Sequence, residues 1–149
     1  MPARRVIESA RHTHYYSGVI RISMRTDYGL IALKHIASLP EGHLANAREI
    51  AARFNLPPNL LAKILQSLSQ SGIIEATKGS GGGYRMAKKP DDVSLAQVFE
   101  SIEGPVHMVM CTSEDGCCSL EDRCTVKNGL TNLERRFYDF FDAVTLADV

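Results

Sequence analysis

The sequence lacks any apolar run approaching the ~18 residues that a membrane helix requires. Its first twenty residues also lack the apolar core that a secretory signal carries. We therefore expect a cytoplasmic protein with no membrane partner. In that reducing compartment, clustered cysteines more often bind metal or take part in redox chemistry than form disulfides. The 149 residues, 44% of them hydrophobic, are enough for one compact domain with an extra helix.

Cysteine is absent outside one short segment. All four cysteines lie between positions 111 and 124, in an acidic stretch that has no apolar run to bury it. Thiolates are the preferred ligands of iron–sulfur clusters and of structural zinc, and such ligands must converge from a short, flexible segment. The segment is therefore a candidate metal centre, and its donors are Cys111, Cys117, Cys118 and Cys124.

The chain has no net charge, which by itself argues against a nucleic-acid partner. The distribution of charge argues the other way. Residues 1–24 carry four basic and one acidic residue, residues 25–90 nine and four, and residues 91–149 four and twelve. A phosphate-binding face needs local positive charge rather than a positive total. We therefore expect a DNA-binding front half and an acidic back half that is turned away from the duplex.

The chain divides into four predicted parts. Residues 1–20 have no hydrophobic period and are predicted to be a flexible extension, in which His12 and His14 are surface residues rather than metal ligands. Residues 21–92 carry the pattern of a winged helix-turn-helix. Residues 93–124 hold a short helix and the cysteines, and residues 125–149 form a long helix.

Apolar residues at helical spacing predict two helices before position 55. The first begins at Thr26 or Asp27 and ends before Pro40. Its apolar stripe consists of Leu30, Ile31, Leu33, Ile36 and Ala37. The second opens at Asn46, with Glu49 at capping-box spacing. Its inward residues are Ile50, Ala51 and Phe54.

A turn at Asn55-Leu-Pro57 leads into a third predicted helix that starts at Pro58 and buries Leu60, Leu61, Ile64, Leu65 and Leu68. Two short helices joined by a tight turn are typical of a helix-turn-helix, whose second helix enters the major groove. A generic helical pair with a solvated polar face gives the same pattern. Asn and Gln side chains can read adenine, and Lys can reach guanine or phosphate. The candidate DNA contacts are Arg25, Arg48, Pro58, Asn59, Lys63 and Gln66.

A β-hairpin is predicted next, with strands at 73–78 and 84–88 around Gly79-Ser-Gly-Gly-Gly83. A basic, glycine-rich tip in this position is typical of the wing of a winged helix, because glycine permits close approach to a backbone. A nucleotide-binding loop is less favoured, since no Lys-Ser/Thr follows the glycines and no helix starts behind them. The candidate contacts are Lys78, Ser80, Gly81, Gly82, Tyr84 and Arg85. The predicted fold is thus mainly α with a small β-hairpin wing.

The last two helices are predicted from Ser94 to Gly104 and from about Thr125 onward. Apolar residues in the final helix recur at alternating steps of three and four, as in a coiled-coil seam. A second copy of the helix would bury this seam, so we predict a homodimer with twofold symmetry, which suits a palindromic DNA site. The helix could instead pack on its own domain. The seam consists of Val126, Leu130, Leu133, Phe137, Phe140 and Phe141.

Several of these motifs occur in a fixed order: Thr26-Asp-Tyr-Gly-Leu-Ile-Ala-Leu33, Ser80-Gly-Gly-Gly-Tyr-Arg85, the cysteine segment and Thr145-Leu-Ala-Asp148. From about Ile20 to the C-terminus they resemble the Rrf2 family of bacterial winged-helix regulators. The resemblance implies a dimer that binds palindromic double-stranded DNA. In many members it also implies an iron–sulfur cluster held by three cysteines and one further ligand.

The fourth ligand distinguishes two types within the family. IscR-like members have a histidine three residues after the last cysteine, where this chain has Lys127, which cannot ligate while protonated. NsrR-like members use an aspartate of the first helix that reaches across from the partner subunit, and Asp27 occupies that position. The resemblance therefore favours the nitric-oxide-sensing NsrR-like type with a four-iron cluster over an IscR-like two-iron regulator. Asp27 also suits the N-terminal end of a helix on electrostatic grounds alone.

The cysteine ligands admit alternatives. Cys118 gives the family's spacing to Cys124, and Cys117 is the alternative, because adjacent side chains rarely bind one metal ion. His107 lies near the segment, where a solvated or core role suits it better than ligation. The same thiolates could hold zinc in a regulator without cluster sensing, and a cluster-free regulator that works through protein partners is a further possibility.

No general-base constellation, substrate-pocket motif or Cys-x-x-Cys supports a redox enzyme built on Cys117 and Cys118. We expect a DNA-binding transcriptional repressor, not an enzyme, that senses nitric oxide, or redox or iron status, through an iron–sulfur cluster.

Overall fold

A computed structural model describes residues 22–105, 107, 118 and 123–149. The elements are α1 (Met24–Ala37), α2 (Ala47–Phe54), α3 (Pro58–Gln70), β1 (Ile74–Thr77), β2 (Gly83–Met86), α4 (Leu95–Glu103) and α5 (Lys127–Ala143), with a short 3-10 turn at Pro90–Asp92. The predicted fold class, mainly α with one β-hairpin, is confirmed. None of the described helices combines the length and apolarity needed to cross a bilayer.

Helix α3 contributes four completely buried side chains to the core. Leu61, Ile64, Leu65 and Leu68 are completely buried on one side of the helix, as predicted, whereas Leu60 is half-buried at its margin. Pro57 and Pro58 start the helix where a missing N–H leaves no intrahelical bond unmade. Ser71 and Gly72 end it, and Gly72 has a φ of +73°, which a glycine adopts without strain.

Helix α1 begins earlier than predicted. Its N-cap is Ser23, whose Oγ accepts a hydrogen bond from the Thr26 N–H at 3.2 Å. The predicted start at Thr26 or Asp27 is therefore wrong by two to three residues. The prediction relied on the apolar repeat, and the serine that caps the helix lies before that repeat begins. Ile31, predicted in the apolar stripe, is 37% exposed, while Thr26 is buried.

Helix α2 is capped as predicted at Asn46, whose side chain accepts from the Arg48 N–H at 2.8 Å. The inward assignment of Phe54 is wrong. Its side chain is 38% exposed and its ring meets the edge of the His35 ring, with centroids 5.5 Å apart. Phe54 is the last residue of α2, and Leu56 in the following turn is buried instead.

The two strands form an antiparallel hairpin in which Ile74 lies opposite Met86 and Thr77 opposite Gly83. Ala45 pairs with the outer edge of β2: its N–H donates to the Tyr84 carbonyl at 2.8 Å and its carbonyl accepts from the Tyr84 N–H at 2.9 Å. A Cβ on Gly83 would lie 2.6 Å from the Ala45 carbonyl oxygen, so this close approach requires glycine.

The C-terminus returns to the core, which the sequence did not indicate. The Leu146 N–H donates to the Val93 carbonyl and the Leu95 N–H donates to the Val144 carbonyl, each at 2.8 Å. Leu146 is completely buried among residues of the winged helix. Asp148 accepts hydrogen bonds from the backbone N–H and the hydroxyl of Thr145, both at 2.8 Å, and these bonds lower the pKa of its carboxyl.

We predict that Leu146→Ala lowers the free energy of unfolding by about 2–5 kcal/mol, because it leaves a cavity in a packed core. Val149→Ala is the matched control: Val149 is 50% exposed, so its truncation should change stability by less than about 0.5 kcal/mol. Chemical denaturation of the metal-free protein would measure both. Equal effects of the two substitutions would show that the last residues do not belong to the core.

Candidate nucleic-acid interface and cysteine segment

Helix α3 has a polar face directly opposite its buried one. Asn59, Lys63 and Gln66 are exposed and recur at steps of four and three, so they line one side of the helix. The turn before α3 is tight, since Asn55 takes the left-handed conformation with a φ of +52°. The arrangement of α2, turn and α3 leaves an unobstructed row of donors and acceptors of the kind that reads base edges.

The tip of the hairpin is built for close approach to a backbone. Gly79 and Gly81 have φ values of +107° and +85°, which other residues rarely adopt. The Gly82 N–H donates to the Gly79 carbonyl at 3.0 Å and closes the turn. Lys78 and Ser80 are exposed beside it. The tip thus presents a cationic side chain, a hydroxyl and little bulk.

Two of the predicted wing contacts also have structural roles. The Arg85 guanidinium donates to a carboxylate oxygen of Glu75 across the hairpin, through Nε at 2.9 Å and a terminal nitrogen at 2.6 Å. Both side chains are more than half exposed, so the pair contributes only about 0–1 kcal/mol and does not withhold Arg85 from a phosphate. Tyr84 is half-buried and packs against the hydrophobic core.

Arg25 and Arg48 lie outside α3 and the β-hairpin. Both are exposed, Arg25 in the first turn of α1 and Arg48 in the first turn of α2. Pro58, at the start of α3, is exposed as well. Every predicted DNA contact therefore lies within the described residues, and the cationic ones are all accessible to solvent.

Asp27 lies on an exposed stripe of α1. Met24, Asp27 and Ile31 recur at helical spacing, and Met24 and Ile31 are 65% and 37% exposed. The Asp27 carboxylate makes no hydrogen bond or ion pair with the other residues that the structure describes. Among the described residues, Asp27 thus has one exposed apolar side chain on each side of it along this stripe.

The cysteine segment is described only in part. Cys118 and Cys124 are free thiols and half-buried, while Cys111 and Cys117 lie outside the described residues. Within residues 22–105, 107, 118 and 123–149, no three His, Cys, Asp or Glu side chains come together as a set of metal ligands. Asp27, Cys118 and Cys124 of one chain are thus not brought together. His107 has its Nδ1 atom 3.7 Å from a carboxylate oxygen of Glu134 on α5.

Helix α5 carries its apolar residues in two rows. Leu130, Phe137 and Phe141 are half-buried, and the Phe141 ring meets that of Phe99 on α4 edge-on, with centroids 4.8 Å apart. The second row is exposed: Val126 by 57%, Leu133 by 43% and Phe140 by 61%. The predicted seam is therefore divided, with one row on the chain's own α4 and the other facing outward.

Two polar contacts hold α4 in place, and neither pairing could be predicted from the residues that are close to it in sequence. A carboxylate oxygen of Glu103 accepts hydrogen bonds from the hydroxyls of Ser23 and Thr26, the latter at 3.1 Å. At the other end, Ser94 caps α4 and donates its hydroxyl hydrogen to Asp142 of α5 at 2.9 Å. These partners are separated by 48 to 80 residues in sequence, a distance that periodicity and capping rules do not span.

Between the same two helices, the carboxylate of Glu100 raises the pKa of the Tyr138 phenol. Partial burial and the carboxylate of Asp142 act in the same direction. The pKa of this phenol, which lies near 10 in a free tyrosine, therefore moves further above neutral pH at the acidic junction of α4 and α5.

Comparison with known protein families gives a match that spans the whole described region. The model of the Rrf2 family, described as an iron-dependent transcriptional regulator, matches residues 22–149. A candidate transcriptional regulator from Listeria innocua is 25% identical, with a TM-score of 0.71 over 89% of this chain and 88% of that one.

Two further structures share the fold. CymR of B. subtilis, the global cysteine regulator, is 22% identical, with a TM-score of 0.64 over 87% of this chain and 95% of that one. IscR of T. potens is 21% identical, with a TM-score of 0.65 over 87% and 85%. Because the family match covers the winged helix, the cysteine segment and α5, the chain belongs to the Rrf2 family of DNA-binding transcriptional regulators, which are not enzymes.

Proposed function

We propose that this protein is a repressor that binds a palindromic operator as a homodimer and senses nitric oxide, or redox or iron status, through an iron–sulfur cluster. The observation that carries the proposal is the position of the cysteines. They lie between α4, which packs on the winged helix, and α5, which exposes an apolar row. A change in this segment therefore acts directly on the two elements that would set the spacing of the DNA-binding units.

The exposed face of α3 supports the DNA-binding part of the proposal. Asn59 and Gln66 have the amide groups that pair with adenine, and Lys63 lies between them as a partner for guanine or phosphate. Lys78, Ser80 and Arg85 on the hairpin, with Arg48 on α2, supply phosphate contacts that position the helix. The acidic residues are concentrated beyond position 90, which keeps repulsive charge away from this face.

The exposed row of α5 supports the homodimer. Val126, Leu133 and Phe140 recur at steps of seven, the repeat that two packed helices share. No residue of α5 is buried within the chain, although its other apolar row contacts α4. A second α5 related by a twofold axis would cover the exposed row. The same axis would relate two α3 helices and so match a palindromic operator.

The available donors fit an iron–sulfur cluster. Cys118 and Cys124 are free thiols, and with Cys111 they would provide three thiolates from one short segment. Cys117 is the alternative to Cys118. Asp27 would complete the set from the partner subunit, and its carboxylate is exposed and unpaired among the described residues. A four-iron cluster suits this set, and a two-iron cluster has the same requirement for four ligands.

The location of Asp27 supports a ligand from the partner rather than from the same chain. Met24 and Ile31 flank it on an exposed apolar stripe, so docking of a second subunit on this side of α1 would bury apolar surface around the carboxylate. A bound cluster would supply an iron atom that reacts with nitric oxide or oxygen. A carboxylate is a weaker ligand of iron than a thiolate, so Asp27 would be the first protein group to be released.

We predict that Lys63→Ala weakens binding to all DNA sequences and lowers the slope of log affinity against log salt by about 1, as loss of one phosphate contact requires. Asn59→Ala should instead relax the base preference at one position of each half-site, at a cost of about 1–3 kcal/mol. Arg135→Ala is the control, since it removes a positive charge from α5. Fluorescence anisotropy over a salt series separates the cases, and an equal slope change for Arg135→Ala would contradict the assignment of α3.

We predict that Leu133→Glu converts the dimer to monomer, raising the dissociation constant by more than roughly tenfold, because it places a charge in a buried apolar row. Leu133 is 43% exposed in the single chain, so the monomer should remain folded. Asn132→Glu adds the same charge on another side of α5 and should leave the dimer intact. Sedimentation equilibrium of the three proteins tests this, and dimers of equal strength would rule out the exposed row as the interface.

We predict that protein purified without oxygen is brown, with a broad visible absorption that nitric oxide bleaches, and that Cys111→Ala and Cys124→Ala are colourless. Asp27→Ala should bind the cluster but lose it to a chelator roughly tenfold faster, with an unchanged thermal midpoint of the metal-free protein. Cys117→Ser and Cys118→Ser, compared side by side, identify the second thiolate. Colourless wild-type protein that contains zinc, or no metal after reconstitution, would overturn cluster sensing and leave DNA binding in place.

A further inference from the structure

One carboxylate joins the last turn of α4 to the first turn of α1. An oxygen atom of Glu103 accepts hydrogen bonds from Ser23 Oγ and from Thr26 Oγ1, the second at 3.1 Å. Ser23 is also the N-cap of α1, since its Oγ accepts from the Thr26 N–H at 3.2 Å. The three residues are thus joined in one hydrogen-bond network, in which Thr26 is almost completely buried and Glu103 is exposed.

This network joins two elements that lead to proposed cluster ligands: the cysteine segment follows α4 in sequence, and the first turn of α1 carries Asp27. Glu103 is the last residue of α4, and Gly104, with a φ of +85°, turns the chain out of the helix toward the cysteines. Thr26 directly precedes Asp27 in the first turn of α1. The carboxylate of Glu103 is therefore held by the same turn that presents the proposed partner ligand.

Helix α1 also contacts the recognition helix. A Cβ placed on Gly29 would overlap the Ile102 side chain of α4 and would lie 3.3 Å from Ile64 Cγ2 of α3. Three helices thus meet at one glycine, one turn of α1 beyond the network. Because a packed core transmits a displacement rather than absorbing it, a shift of the first turn of α1 reaches α3 directly.

We propose that Glu103 is a positioning residue: by accepting hydrogen bonds from Ser23 and Thr26, it ties the cysteine segment to the first turn of α1 and so couples the state of that segment to DNA binding. The inference rests on the proposed function. Hydrogen bonds to an ionised acceptor are the stronger class, and a buried hydroxyl that loses its acceptor pays its full desolvation. The network therefore favours one position of α1 relative to α4.

Four substitutions separate coupling from simple stability. Thr26→Val keeps the shape of the side chain and removes its hydroxyl, whereas Thr26→Ser keeps the hydroxyl and removes a buried methyl group. Glu103→Ala removes the acceptor. Glu41→Ala is the control for loss of a carboxylate, since Glu41 is exposed in the loop after α1 and belongs to no part of the network.

The first readout is amide hydrogen exchange of the metal-free protein, followed by mass spectrometry. Exchange in residues 24–28 should accelerate roughly tenfold in Thr26→Val and Glu103→Ala, the size expected for one hydrogen bond to a charged group. It should stay near the wild-type rate in Thr26→Ser and in Glu41→Ala. Unchanged exchange in Thr26→Val and Glu103→Ala would show that the network does not hold the first turn of α1, and would overturn the inference.

The second readout is the ratio of DNA affinities between cluster-loaded and metal-free protein, on a duplex selected from random sequence by the wild type under anaerobic conditions. The ratio should fall by roughly tenfold in Thr26→Val and Glu103→Ala and persist in Thr26→Ser, although the lost methyl group makes that variant less stable. A large wild-type ratio that persists in all variants would overturn the inference alone. A wild-type ratio of one would overturn the proposed cluster sensing, and the inference with it.

Discussion

The close packing of α1 against α3 and α4 is the contact on which the rest of the structure depends. Gly29 allows this approach, because a methyl group at this position would overlap the end of the Ile102 side chain and press on Ile64. Leu33 and Ile36 continue the same side of α1 into the core and are buried there. At the far end of α1, Lys34 donates to the Leu146 carbonyl at 3.4 Å. The helix therefore touches α3, the helix α4 that precedes the cysteines, and the returning C-terminus.

This arrangement connects the cysteine segment, which lies outside the winged helix in sequence, to the rest of the fold. The described residues hold α4 at both ends: Glu103 binds the first turn of α1, and Ser94 binds Asp142 of α5. The peptide groups of Val93 and Leu95 pair with the last residues of the chain. The cysteine segment thus follows a helix that is hydrogen-bonded to both α1 and α5. Under the proposed function, a change in the cysteine segment would therefore act on α1 and on α5 through their contacts with α4.

Features that depend on neighbouring residues in the sequence, such as helix caps and apolar periodicity, could be predicted. Contacts between residues far apart in the sequence could not. The helix caps at Asn46 and Ser94 and the buried face of α3 follow from nearest neighbours, and the structure confirms them. Phe54 was assigned to the core because periodicity does not reveal where a helix ends. The pairing of Leu146 with Val93 and the Glu103 network join residues far apart in sequence, and no pattern within a helix reports them. The exposure of Asn59, Lys63 and Gln66 on α3 was predictable because it follows from the same periodicity that predicts burial, whereas their contact with DNA stays a prediction.

The two apolar rows of α5 bear on how a dimer could respond to a signal. Phe141 packs on Phe99 of the same chain, and Phe140, whose ring lies 5.6 Å from that of Phe141, belongs to the exposed row. A helix that shares its apolar surface between its own domain and a second copy cannot rotate without disturbing both contacts. Under the proposed function, a shift of α4 would therefore change the angle between two α5 helices, and with it the separation of the two α3 helices. Two half-sites on one side of a duplex tolerate little change in that separation, so a small displacement is enough to weaken binding.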